Sequence, residues 1–185
     1  MRGPRADRHT MHHDPGGKHK PQWPSGSVVQ AQFSGCGRYR YSLSEVWDTN
    51  RALVMFLLMN PSVAGVEHSD PTFIKTGKYA RAWGYGGQLV GNVHAYRVTD
   101  SRRLVEADDP VGPENDARLL HMARQAERVV LAYGLPPQPL RARAAAVVQI
   151  LRRAAPLQYL QLTKNGTPRH PLYLKGSLLP RDFVA

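Results

Sequence analysis

Apolar and amphipathic stretches alternate along the chain, and they predict strands and helices in alternation. The predicted strands are residues 51–59, 88–96, 128–133 and 157–162. The first of them reads RALVMFLLM, and so long an apolar run is typical of a strand that is buried on both faces. It stops at Asn60-Pro61, because proline cannot continue a central strand.

Helices are predicted between these strands. Asp70 as N-cap and Pro71 at the first helical position begin the first helix. Glu114 and Asp116 are typical of the first turn of the second, and apolar residues at helical spacing over 139–155 predict the third. This alternation implies right-handed crossovers. The predicted fold class is therefore α/β, a three-layer, four-stranded parallel sheet with helices on both faces.

Two further segments precede the first buried strand. Residues 28–33 and 38–43 favour β structure and are joined by a turn, so they predict a β-hairpin. Residues 1–27 hold four prolines, four histidines and few aliphatic side chains, which predicts a disordered basic tail. We therefore expect one folded domain over residues 28–185.

Composition narrows the classes of function. The net charge of +11 on 185 residues favours a polyanionic partner such as nucleic acid, acidic nucleotides or an anionic membrane surface, although a generally arginine-rich surface is the alternative. The single cysteine, Cys36, excludes an internal disulfide framework, and we expect no metal and no organic cofactor. The longest apolar run is shorter than the roughly 20 residues of a membrane span. We expect a cytoplasmic protein that has no membrane contact and no obligate protein partner.

Polar residues follow the predicted strands at their carboxyl ends, where open α/β sheets bind their ligands. Asn60 follows the first strand, Asn92 lies near the end of the second, and His170 lies in the loop after the fourth. The sequence has no phosphate-binding P-loop, no glycine-rich dinucleotide loop after a strand and no Gly-x-Ser-x-Gly elbow. These absences argue against a P-loop nucleotidase, a dinucleotide dehydrogenase and a serine hydrolase.

The three side chains suit a reaction that needs little help from a general base. An asparagine amide both donates and accepts hydrogen bonds, but it does not take up a proton. Cleavage of an N-glycosidic bond fits, because its main demand is to stabilise a departing anionic base. His170 would donate a hydrogen bond to that base. The alternative roles are structural: Asn60 caps a turn, Asn92 satisfies buried backbone groups, and His170 is solvated.

The order and spacing of these residues resemble the uracil-DNA glycosylase superfamily. The resemblance is carried by Leu58-Met59-Asn60-Pro61-Ser62, by the stretch from Gly91-Asn92 to Arg97, and by His170-Pro171-Leu172-Tyr173-Leu174. It implies that Asn60 positions the water, that Asn92 reads the edge of the base, and that His170 contacts the leaving base. It also implies that Leu174 is a wedge that enters the vacated base stack.

The resemblance implies further contacts with base and backbone. Pro61 belongs to the base pocket, and Phe73 and Tyr85 are the candidates for the aromatic ring that stacks on the base. The predicted contacts with DNA phosphates are Ser62, Arg97, Lys164 and Arg169. Leu172-Tyr173 stands where the superfamily has Ser-Pro, which removes one hydroxyl that would hold phosphate.

Residues 36–175 also resemble a bacterial and phage family, domain of unknown function 1643. The matching strings are Tyr39-Arg40-Tyr41-Ser42-Leu43, Asn60-Pro61-Ser62, Asp70-Pro71-Thr72, Trp83-Gly84-Tyr85-Gly86-Gly87, Gly112-Pro113-Glu114-Asn115-Asp116 and Arg169-His170-Pro171-Leu172-Tyr173.

The leading hypothesis is a DNA base glycosylase that flips a damaged or modified base from single- or double-stranded DNA and hydrolyses its N-glycosidic bond. Two alternatives stay open. The first is a nucleic-acid-binding module without catalysis, since Asn60 lacks a basic function. The second is a hydrolase of free nucleosides or nucleotides.

Overall fold

A computed structural model describes residues 20–62 and 64–184. Its strands are β1 Val28–Phe33, β2 Arg40–Val46, β3 Leu53–Leu58, β4 Gly87–Asn92, β5 Arg128–Leu131, β6 Leu157–Tyr159 and β7 Arg181–Asp182. Its α-helices are α1 Pro71–Ala82, α2 Asn115–Gln125 and α3 Arg141–Arg152. Short 3₁₀ helices lie at Ser101–Glu106, Gln138–Leu140 and Pro171–Tyr173. The described chain is an α/β fold, as the sequence predicts.

The prediction of a four-stranded parallel sheet is wrong, because the sheet is mixed and has seven strands in the order β1-β2-β4-β3-β5-β6-β7. The strands β4, β3, β5 and β6 are parallel to one another. The hairpin of β1 and β2 joins this sheet, since β2 pairs antiparallel with β4. At the other edge β7 pairs antiparallel with β6. The β7 strand has two residues, both polar, so it leaves no hydrophobic pattern in the sequence.

The helices cover both faces of the sheet, which makes three layers. The helices α2 and α3 pack on one face, where Leu119 and Val147 join the side chains of Met55 and Leu57. The helix α1 packs on the other face, with Phe56 and other apolar side chains of the sheet. The segment after residue 174 lies along α1, because the Tyr79 hydroxyl and the Trp83 indole donate to backbone carbonyls there.

The start of α1 follows the predicted rule. The Asp70 carboxylate accepts a hydrogen bond from the backbone N–H of Phe73 at 2.8 Å, and Pro71 occupies the first turn. This cap fixes where α1 begins after the long loop that follows β3.

The parallel strands are shorter than predicted, and their carboxyl ends meet at one edge. The strand β4 ends at Asn92 rather than at residue 96, and β6 ends at Tyr159 rather than at residue 162. Beyond β4 the chain still bonds to its neighbour, since the N–H of Val93 donates to the Leu58 carbonyl. The loops that follow these strands therefore converge.

Residues 20–27, which the sequence places in the tail, contact the domain. The Trp23 indole donates to the Gly65 carbonyl at 3.1 Å, and its ring meets Phe73 edge-on at 5.0 Å. The N–H of Ser69 donates to the Pro21 carbonyl. Trp23 supplies apolar area that the composition of this stretch does not suggest, so 20–27 lie with the domain. The rest of the predicted tail, 1–19, lies outside the described residues.

Within the described ranges, no helix combines the length and the apolar character that crossing a bilayer requires.

We expect Trp23→Ala to lower the free energy of unfolding by about 2 kcal/mol, since a half-buried ring is removed from the core. Urea denaturation followed by circular dichroism measures this change. The control is Leu179→Ala, because Leu179 is 70% exposed and its loss should cost little. Equal stability of the two variants would contradict the assignment of residues 20–27 to the domain.

Candidate active site

A cavity of about 400 Å³ opens at the carboxyl end of β3, against the N-terminal end of α1. Its polar lining residues include Arg40, Asn60, Ser62, Asp70, Thr99 and His170. Its aromatic lining residues are Phe73, Tyr133 and Tyr173. The structure thus brings together the two residues that the sequence predicts to be catalytic, Asn60 and His170, although they lie far apart along the chain.

The Asn60 side chain is fixed by two hydrogen bonds. Its amide nitrogen donates to the Pro61 carbonyl at 2.9 Å and to the Val98 carbonyl at 2.6 Å. Both N–H groups are used in this way, so the amide oxygen is the group left to accept a hydrogen bond from a ligand or a water. Pro61 is buried, and its role at the site is to accept this bond.

His170 presents a neutral ring. Its Nδ1 accepts a hydrogen bond from the N–H of Leu172, which indicates that the ring proton sits on Nε2. Burial lowers the pKa of His170, and the nearby Asp70 carboxylate opposes part of that effect. The ring can therefore donate a hydrogen bond without carrying a charge.

Gly134 lets the chain after β5 pass close to His170. Its φ angle is +72°, and a Cβ added there would lie 3.4 Å from the Cβ of His170. A side chain at this position would strain the backbone, because residues other than glycine rarely adopt this φ angle.

Asn92 lies behind the cavity wall rather than on its surface. It is fully buried, and neither its amide oxygen nor its amide nitrogen has a hydrogen-bond partner among the described residues. It points to the same face of the sheet as Val90, two residues earlier, and Val90 lines the cavity. The buried backbone carbonyls of Asn92 and Val93 accept hydrogen bonds from the side-chain amide of Asn115 instead.

The two candidates for the aromatic ring that stacks on the base lie in different pockets. Phe73 is 2% exposed, lines the cavity and also packs in the core. Tyr85 lies in a different pocket, where its hydroxyl donates to the Glu127 carboxylate. Tyr173, for which the sequence predicts no role of its own, is 86% exposed and lines the cavity.

The predicted wedge is not available for insertion into DNA. Leu174 is 5% exposed and packs in the core with Phe73 and Tyr79, so it does not reach a base stack. The neighbouring Tyr173 is the exposed side chain. The spacing of residues in the sequence does not fix the rotation of the short 3₁₀ helix Pro171–Tyr173. That rotation decides whether Tyr173 or Leu174 is exposed.

The predicted phosphate contacts are scattered. Ser62 lines the cavity. Arg97 does not: it donates to the Gly37 carbonyl at 2.9 Å and lies over the Phe33 ring. Lys164 and Arg169 are exposed, and Arg169 lines a separate groove. The structure does not gather these four side chains at one surface.

Two charged lining residues, Asp70 and Arg40, were not recognised as site residues from the sequence. Asp70 was identified only as a helix cap, yet its carboxylate also lines the cavity. Arg40 belongs to β2 and is 3% exposed. The sequence offered one signal for Arg40, a charged residue between Tyr39 and Tyr41 in a predicted strand. The strand pairing that turns this side chain toward the cavity involves residues far along the chain, so the local sequence does not reveal it.

Among the residues that the structure describes, no three His, Cys, Asp or Glu side chains group together as metal ligands would.

A second histidine is buried near the site. His94 is fully buried, and neither ring nitrogen has a partner in the described part of the chain. Burial, helped by the nearby Arg143 guanidinium, lowers the pKa of His94 from 6.5 to about 4. The ring is therefore neutral in the folded protein at neutral pH.

We expect the protein to lose stability as the pH falls from about 6.5 to about 4. In that window the unfolded chain takes up a proton at His94, whereas the folded chain does not, and the lowered pKa of His170 adds to the loss in the same direction. The loss due to His94 alone should reach about 3 kcal/mol at the lower end. Urea denaturation at several pH values measures it. His94→Asn should flatten the profile, and His121→Gln, on an exposed ring, should not; identical profiles for all three proteins would contradict this cause.

Comparison with known proteins agrees with one of the two resemblances. No curated protein and no solved structure matches the chain. The family described as "Protein of unknown function (DUF1643)" matches residues 40–172, which include the cavity residues from Arg40 to His170. That span covers well over half of the chain, and the protein belongs to this family.

Proposed function

We propose that the protein is an N-glycosyl hydrolase, which cleaves the bond between a base and its sugar, and the first candidate substrate is a flipped base in DNA, as for a DNA base glycosylase. The observation that carries the proposal is that Asn60, His170 and Phe73 line one cavity at the carboxyl ends of the parallel strands. A cavity of about 400 Å³ lies within the usual range for small-ligand sites.

The base would lie against Phe73 with His170 near its leaving atom. The neutral imidazole with its proton on Nε2 is suited to donate a hydrogen bond to the departing base, which gains negative charge in the transition state. Asn92, which the sequence predicts to read the edge of the base, is fully buried behind the cavity wall, so a base in the cavity would not contact its amide.

The attacking water would be held by Asn60 and activated by Asp70. The Asn60 oxygen accepts a hydrogen bond from the water, but the amide does not take a proton. Asp70 lines the same cavity and supplies the missing base. Its negative charge also favours the positive charge that develops on the sugar. Asp70 thus answers the chief objection to catalysis, that Asn60 is not basic.

A second candidate is hydrolysis of free nucleosides or nucleotides by the same residues. The observation in its favour is Arg40, a buried guanidinium in the cavity wall, where an internal DNA phosphate has little access. A nucleic-acid-binding module without catalysis is the outcome if binding occurs and no bond is cleaved.

We expect the protein to form abasic sites in oligonucleotides that carry uracil, hypoxanthine or a modified pyrimidine, detected by alkaline cleavage of the strand. Because His170 stabilises the leaving base, His170→Ala should lower the rate by about 100-fold. The control is Val28→Ala, an exposed position on β1. The glycosylase proposal is wrong if no base is released from any polymer or monomer, or if His170→Ala keeps the full rate.

Asp70→Asn separates the two roles of this side chain. Asparagine caps a helix about as well as aspartate, so the free energy of unfolding should change by less than about 1 kcal/mol. Loss of the carboxylate should nevertheless lower kcat by about 100-fold. The helix cap is tested separately by Asp70→Ala, which should lower both quantities. A fully active Asp70→Asn variant would show that Asp70 is a cap only.

A further inference from the structure

The guanidinium of Arg40 is buried in the cavity wall with few partners. The residue is 3% exposed, and Nη1 donates to the Ala64 carbonyl at 2.6 Å. The Nε atom is buried and has no hydrogen-bond partner among the described residues. Burying a charge that is not paired costs several kcal/mol. The arrangement is therefore one that an anion would stabilise.

The protein compensates this charge only in part. In the described ranges, no carboxylate forms an ion pair with Arg40. Asp70 is the carboxylate that shares the cavity, and one of its oxygens is occupied as the cap of α1. Burial lowers the pKa of Arg40 to about 10; the Asp70 carboxylate opposes this effect and the Arg97 guanidinium adds to it, so Arg40 stays charged at neutral pH.

Other groups at the cavity suit the oxygen atoms of a phosphate. Thr72 and Phe73 lie in the first turn of the 12-residue helix α1, whose N-terminal end favours negative charge. The hydroxyl of Thr99 is buried without a partner in the described part of the chain, and Thr99 lines the cavity. Buried hydroxyl, helix end and guanidinium are the usual elements of a phosphate site.

The depth of Arg40 limits what can reach it. An internal phosphodiester continues into a chain on both sides, and both chains would have to leave the cavity past its wall. A phosphate monoester has a single covalent attachment, so it can enter with its free end first. A nucleoside monophosphate meets this condition and carries the base that the other half of the cavity would take.

We infer that Arg40 binds the terminal phosphate of a mononucleotide, and that the substrate of this site is a free nucleoside 5′-monophosphate. The inference rests on the proposed N-glycosidic reaction for its chemistry, but its binding step stands independently of turnover. It chooses between the two substrate classes that the proposed reaction leaves open.

Isothermal titration calorimetry with a panel of deoxynucleoside 5′-monophosphates and their matched nucleosides tests the binding step. The protein should bind at least one nucleotide about 100-fold more tightly than its nucleoside, because a charged hydrogen-bonded pair is lost with the phosphate. Arg40→Gln should remove this preference and leave nucleoside binding in place. Arg40→Lys keeps the charge and should retain part of the preference, which covers the case in which Arg40→Gln does not fold.

The matched control is Arg102→Gln, which removes one arginine from the surface beside the cavity. Arg102 is paired with Asp100 and is 87% exposed, so its loss should leave the nucleotide preference unchanged. Equal affinity for nucleotide and nucleoside in the unmodified protein would overturn the inference, as would tighter binding of an oligonucleotide with both ends blocked. Binding is measured here without cleavage. Nucleotide binding with no base release would therefore contradict the proposed reaction and support the phosphate site.

Discussion

The Asn60 amide joins two loops, and the cavity depends on that junction. Its nitrogen donates to the Val98 carbonyl, while the N–H of Val98 donates to the Pro61 carbonyl. These bonds tie the chain that leaves β3 to the chain that leaves β4. Because β3 and β4 are parallel neighbours, both loops start from the same edge of the sheet. The junction holds Thr99 and Asn60 as two parts of one wall.

Two of the residues that line this cavity hold a polar atom without a partner. Arg40 and Thr99 each have a buried atom that makes no hydrogen bond among the described residues. Each such atom costs free energy in the folded protein, and hydrophobic packing of the two apolar clusters offsets that cost. Natural proteins keep such groups where a ligand satisfies them, so their position beside a cavity supports a binding role.

Asp70 shows how one side chain serves both the fold and the site. As the cap of α1 it fixes the helix against the edge of the sheet, and the same carboxylate lies in the cavity wall. A helix cap must stand at the N-terminal end of its helix, where the field of the helix also favours anions. The cap therefore brings a negative side chain and a site for negative ligands to the same place. Arg40, on β2, lies near enough for this carboxylate to raise its pKa, but the two side chains form no ion pair.

Short stretches of sequence are enough to predict the apolar central strands, the start of α1 and the positions of Asn60 and His170 after strand ends. These features follow from short-range rules, since burial, capping and the effect of proline act within a few residues. The tertiary structure alone decided that β2 joins the sheet, that Leu174 is buried, that Tyr85 lies elsewhere and that Arg40 faces the cavity. These features depend on the pairing of distant strands and on the conformation of loops. A local sequence pattern predicts neither of them.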